Sequence, residues 1–89
     1  MSQRQKFLQL LLTTSSAQNV EFLALCKFLV SLGLQQRIRG SHHIFGLMGI
    51  PEALNLQPGS GGSAKPYQVK QVRAFLLKYR AVLNLTITQ

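Results

Sequence analysis

Two short runs of alternating residues, on either side of a Gly40-Ser41 step, constrain the fold of this chain more than any other feature. In residues 34–39 and again in residues 42–47, successive side chains of a strand would point to opposite faces. Glycine tolerates the positive φ that a tight turn requires. The sequence therefore predicts a β-hairpin that carries both histidines of the chain just past its turn, beside basic side chains.

The residues before the hairpin have the spacing of two helices. Residues 2–12 predict a short helix, and the polar cluster at 13–16 ends it. Asn19 is a suitable N-cap for a second helix and Gly33 a suitable C-cap. The apolar residues of this second helix recur at intervals of three and four, which is typical of a core-facing stripe: Phe22, Leu25, Cys26, Leu29 and Leu32.

The residues after the hairpin predict a third strand and a last helix. Residues 50–57 alternate, with Leu54 and Leu56 on one face and Asn55 and Gln57 on the other. A glycine-rich stretch, residues 58–63, follows as a flexible connector. The last helix opens at Lys65-Pro66-Tyr67, and residues 81–89 either extend it and then add an edge strand or form a tail. Its apolar face contains Val69, Val72, Phe75, Leu76 and Tyr79.

This order of elements predicts a two-layer α+β domain. Helices placed before and after a three-stranded antiparallel meander cover one face of the sheet and leave the other in water. A chain of 89 residues, 46% of them hydrophobic, is long enough for one small core. We expect one domain, residues 17–80, with an N-terminal helix and turn at 1–16 and a C-terminal tail at 81–89.

Net charge is the strongest signal in the composition. Ten Lys and Arg against two acidic residues give +8, which favours a polyanionic partner such as nucleic acid, an anionic membrane or an acidic protein. Binding to a membrane surface is disfavoured, because the apolar residues of helix 2–12 are explained more simply by packing on the core or on a partner. A membrane span is not expected either, since no apolar run reaches roughly 18 residues. Cys26 is the single cysteine, so we expect a buried thiol and a reducing, cytoplasmic location.

Neither a metal site nor a nucleophile triad is expected. His42 and His43 are adjacent on a strand and face opposite sides, so both cannot easily bind one ion. The chain contains no Asp and only two Glu, which removes both a carboxylate cluster for two metals and a Ser-His-Asp triad. No cofactor is predicted.

A family resemblance lies in two segments of the chain. One is Leu-Gly-Leu at 32–34 followed by Arg37, and the other is Gly-Ser-His-His-Ile-Phe at 40–45. Together they resemble the signature that follows the first core helix in the HicA toxins of bacterial toxin–antitoxin systems. The similarity extends over about residues 20–80. Residues 55–58 and the long loop to residue 65 depart from the family, which has a proline-x-histidine segment and a glycine-threonine step there.

The resemblance implies a fold, an activity and a partner. HicA proteins have a double-stranded-RNA-binding-like α-β-β-β-α fold, to which this chain would add an N-terminal helix. They cleave mRNA with the histidine of the glycine-serine-histidine motif and are inhibited by a HicB antitoxin. Carried over, the catalytic histidine is His42, and Gly40 shapes the turn that presents it. The residue pattern alone does not choose between His42 and His43.

RNA supplies its own nucleophile, the 2′-hydroxyl, so the protein needs only proton transfer and charge neutralisation at the phosphate. Imidazole suits either proton role near neutral pH, which makes His42 a general base or acid in a metal-independent endoribonuclease. Tyr67 is a candidate second group. Lys70 and Arg73 are either phosphate contacts or a solvated helix face. The full set of expected RNA-binding residues is Arg37, Arg39, Gly40, Ser41, Lys65, Lys70 and Arg73.

A second hypothesis comes from another functional class. The same shape and charge would serve a non-catalytic RNA- or DNA-binding module, in which His42 is a polar surface residue.

Overall fold

The computed structural model describes residues 2–13 and 20–85. Within them, three helices and one three-stranded sheet make the α+β fold that the sequence predicts. The sheet has the order β1-β2-β3, with both pairs antiparallel. The elements in chain order are α1 (Gln3–Thr13), α2 (Phe22–Ser31), β1 (Gln35–Arg39), β2 (His42–Gly46), β3 (Leu54–Leu56) and α3 (Pro66–Lys78).

The predicted hairpin is confirmed. Arg39 pairs with His42, which leaves Gly40 and Ser41 as a two-residue turn between β1 and β2. Gly40 has φ of +59°, a conformation that glycine adopts without a steric penalty and that is favoured at the first central position of a hairpin turn. The turn residue therefore fixes the register that places His42 first on β2.

All three helices contribute to one core on a single side of the sheet. Leu8 and Leu11 of α1 belong to the same buried cluster as the sheet residue Phe45, so α1 packs as part of the domain. The stripe of α2 is buried as predicted, except that Leu32 is only partly covered. The fully buried large side chains are Phe45, Phe75, Leu11, Leu25, Leu29, Leu56, Leu76, Val69 and Val72.

The third strand is shorter than the sequence predicts. It covers Leu54–Leu56 and not residues 50–57. Pro51 has no N–H to donate to a ladder, and the Ile50 N–H instead donates to the Leu47 carbonyl in a turn. Glu52 is drawn toward α3 by hydrogen bonds from Lys78 and Tyr79. The predicted alternation is kept, because Leu54 and Leu56 are buried and Asn55 is exposed.

The second helix begins at Phe22, and the predicted N-cap Asn19 lies outside the described residues. Glu21 has extended backbone angles and forms an antiparallel bridge with Ser63, so it cannot join the first helical turn. The Ala64 N–H donates to the Val20 carbonyl at 2.7 Å. The glycine-rich stretch predicted as a connector thus has a defined path across the start of α2, with a 3-10 turn at Ser60–Gly62.

The last helix starts as predicted, with Pro66 in its first turn. After Lys78 the chain turns, and the Leu85 N–H donates to the Arg80 carbonyl at 2.8 Å. A predicted continuation beyond residue 85 lies outside the described residues. Among the helices of residues 2–13 and 20–85, none has the length and apolar character needed to cross a bilayer.

Candidate active site on the open face of the sheet

The face of the sheet opposite the helices carries the basic residues and one histidine. Directly paired residues of antiparallel strands share a face, with Cβ atoms about 4.5–5.5 Å apart. Arg39 pairs with His42 and Arg37 with Ile44, so both arginines lie on the side of His42. Asn55 of β3 pairs with Ile44 and lies on the same face. This surface is called the open face below.

His42 is held at both ring nitrogens by carboxamide side chains. Its Nδ1 lies 3.0 Å from Asn55 Oδ1, and its Nε2 lies 3.0 Å from Gln57 Nε2. A carboxamide oxygen only accepts and its nitrogen only donates. Nδ1 therefore carries the proton and donates it to Asn55, while Nε2 has a lone pair that accepts from Gln57. The arrangement selects one neutral tautomer, with Nε2 available as a base.

Gln57 connects His42 to the rest of the site. Its Nε2 also donates to Ser41 Oγ at 3.2 Å, and its Oε1 accepts from Lys65 Nζ at 3.5 Å. Its backbone N–H donates to Oε1 of Gln68, a side chain of α3 that is 5% exposed. Because the hairpin turn, β3 and α3 all reach this one residue, the end of β3 is fixed relative to the imidazole.

His43 faces the other side of the sheet. Its ring packs edge-on against Phe22 with 4.9 Å between ring centroids, and its Nδ1 lies 2.9 Å from Gln36 Nε2. The ring is half-buried, whereas His42 is exposed. The structure thus gives a physical distinction between the two histidines, which the sequence pattern could not make: only His42 shares a face with the arginines.

The charge around His42 is positive. Arg39 lies opposite His42, and Lys65 reaches Gln57. Glu52 is engaged elsewhere, in an ion pair of 2.9 Å with Lys78. The hydrogen bond from Lys78, and a second from Tyr79, lower the pKa of the Glu52 carboxyl, so that it stays ionised. Arg39 and Lys65 therefore offer positive charge to a phosphate bound at His42.

Five of the predicted RNA-binding residues form one group with His42, whereas Lys70, Arg73 and the candidate Tyr67 do not belong to it. Lys70 is exposed on α3. Arg73 donates its Nε–H to the Leu11 carbonyl at 2.6 Å, which ties α3 to the end of α1. Tyr67 is 57% exposed at the start of α3. The group at His42 comprises Arg37, Arg39, Gly40, Ser41, His42 and Lys65.

Cys26, another candidate reactive side chain, does not belong to this group. Cys26 is buried, and desolvation raises the pKa of its thiol to about 11, so it is not a nucleophile at neutral pH. In the described part of the chain, no three residues of the His, Cys, Asp and Glu types gather as metal ligands would.

Sequence reasoning missed Asn55, Gln57 and Gln68 as site residues. A signal for the first two existed, since the alternation of residues 54–57 already placed them on one face. Gln68 lies four residues before Val72 and seven before Phe75, which is the spacing of a buried helix face.

Comparisons of the chain with protein-family models, curated proteins and solved structures give no match. What the protein does must therefore be inferred from the geometry of its own residues.

Proposed function

We propose that this protein is a HicA-like toxin, an endoribonuclease that cleaves mRNA without a metal ion and uses His42 for proton transfer. The observation that carries the proposal is the state of His42. It is exposed on the open face, its Nε2 is an acceptor, and Arg39 lies directly opposite. A general base needs access and a lone pair, and the nearby positive charge attracts the phosphate.

The geometry favours the following reaction. Arg39 and Lys65 hold the phosphate, and the RNA 2′-hydroxyl takes the place of the Gln57 amide at His42 Nε2. The imidazole removes the hydroxyl proton, and the 2′-oxygen forms a bond to phosphorus as the bond from phosphorus to the 5′-oxygen breaks. The leaving oxygen takes a proton from water. The products are a 2′,3′-cyclic phosphate and a 5′-hydroxyl end.

Asn55 supports this step by accepting from Nδ1–H before and after proton transfer. A hydrogen bond to an ionised donor is stronger than a neutral one, so it stabilises the imidazolium that forms. Arg37 lies two residues before Arg39 on β1 and on the same face. It therefore extends the positively charged surface along which the RNA backbone would lie.

The finer fold and the partner belong to the same proposal. The order α2-β1-β2-β3-α3 fits a double-stranded-RNA-binding-like fold with α1 added at the N-terminus. A charge of +8 suits a HicB-like antitoxin whose binding surface is acidic. We place the pair in the cytoplasm, where mRNA is the target.

The test compares wild type with His42→Ala and His43→Ala in EDTA. We expect His42→Ala to cleave RNA roughly 10²–10⁴-fold more slowly, the usual value of positioned proton transfer, while its affinity for RNA is kept. His43→Ala is the matched control, because it removes the same side chain from the other face. Circular dichroism checks that it folds. RNA left intact by wild type at saturating protein would instead favour the non-catalytic binding module.

A further inference from the structure

A cleft lies on the open face beyond the His42 group, toward the end of the sheet away from the hairpin turn. It is an open depression of about 410 Å³ between the two longer strands and the segment that leads to β3. Met48 stands at this cleft with 90% of its surface exposed. The residues that line it include Gln35, Arg37, Ile44, Met48, Ile50 and Glu52.

We infer that this cleft binds the base of the nucleotide next to the one cleaved at His42, an inference that rests on the proposed function. Ile44 and His42 are two residues apart on β2 and point to the same face. Two residues of a strand span about 6.7 Å, which is within the reach of one nucleotide. An RNA strand that follows Arg39 to Arg37 therefore brings its next base over the cleft.

The walls suit an unpaired base. Proteins that read single-stranded RNA place unstacked bases against apolar, aromatic or arginine surfaces. Ile44, Met48 and Ile50 supply apolar surface, and Arg37 supplies a guanidinium for the phosphate or for the face of the ring. Exposed methionine adapts well to flat, polarisable ligands.

The polar edge of the cleft gives a preference among bases. Glu52 lines the cleft, and its Oε1 is bound by Lys78 and Tyr79. An ionised carboxylate only accepts hydrogen bonds, so it favours a base that carries an exocyclic amino group. Adenine, cytosine and guanine carry one, whereas the only base donor of uracil is N3–H, which lies between two carbonyl oxygens that repel a carboxylate. The Gln35 carboxamide can donate or accept, so it does not discriminate between bases.

The test follows methyl and ring signals by NMR with four 2′-O-methyl homotrinucleotides, A3, C3, G3 and U3, which cannot be cleaved. We expect the methyl signals of Met48, Ile44 and Ile50 to shift with A3, C3 and G3, and binding of U3 to be about fivefold weaker. Ile38 is the internal control, because it is exposed on the opposite face. Its methyl signals should not move.

Two variants test the carboxylate. Glu52→Gln should remove the discrimination against U3. Lys78→Met breaks the same ion pair but leaves the carboxylate in place, so it should keep the discrimination. Equal binding of all four trinucleotides by wild type would overturn the inference.

The outcomes separate this inference from the proposed function. If the His42 ring signals respond to RNA and Met48 does not, the base lies elsewhere and the inference fails, while the RNA binding at His42 that the proposed function requires is retained. If neither responds, both fail. Met48 shifts that depend on protein concentration alone would assign the cleft to contact between two copies and overturn the inference.

Discussion

Replacing the two carboxamide side chains that bind the His42 ring should shift the equilibrium between its two neutral tautomers. In the structure Asn55 accepts from Nδ1–H and Gln57 donates to Nε2, and both bonds favour the same neutral form. A neutral side-chain hydrogen bond contributes about 1 kcal/mol net, which is about fivefold in an equilibrium. Asn55→Ala and Gln57→Ala should each lower the ratio of Nδ1–H to Nε2–H tautomer about fivefold, and the double variant roughly 30-fold.

The assay is ¹⁵N NMR of the imidazole ring at mildly alkaline pH, where a neutral ring reports its tautomer through the shifts of its two nitrogens. Gln71→Ala is the matched control, since it removes an exposed carboxamide from α3. Cleavage by the double variant should also slow, because the lone pair is then no longer held at Nε2. A tautomer ratio that is unchanged in the double variant would refute the reasoning.

Three further predictions concern stability and reactivity. The Lys78 hydrogen bond lowers the pKa of Glu52, so Glu52→Gln should be less stable than wild type at neutral pH. The difference in unfolding free energy between the two proteins should vanish as pH falls through the lowered pKa. A difference that persists in acid would contradict this. Burial raises the pKa of Cys26 to about 11, so a thiol reagent should modify it only as fast as the protein unfolds; rapid labelling of native protein would contradict its burial. Gln68→Leu leaves the Gln57 N–H without its acceptor and should cost about 1–3 kcal/mol in urea unfolding, and a smaller cost would mean that water replaces the carboxamide.

The hairpin could be predicted from local sequence, whereas the site around it could not. Glycine in a two-residue turn and a period of two are local properties, and they were enough to place His42 at the start of β2. The partners of His42 depend on which strand lies beside β2, which is a tertiary property. The short β3 also has a tertiary cause, because Glu52 is held by α3.

Helix periodicity predicted the apolar core but not the role of Gln68. Polar residues on a helix usually face water, so a buried glutamine is recognised only when its partner is known, and that partner is the backbone of a different element. Arg73 illustrates the opposite case. Its charge made it a candidate for RNA contact, but its guanidinium donates to α1, which no pattern in α3 reveals.

The chemical form of the cut RNA ends tests the central claim most directly. If His42 Nε2 activates the 2′-hydroxyl, mass spectrometry of products formed in EDTA will show a 2′,3′-cyclic phosphate on one fragment and a 5′-hydroxyl on the other, and a single 2′-deoxy substitution at the cut site will block cleavage. Fragments that end in a 3′-hydroxyl and a 5′-phosphate, or cleavage that survives the 2′-deoxy substitution, would contradict it.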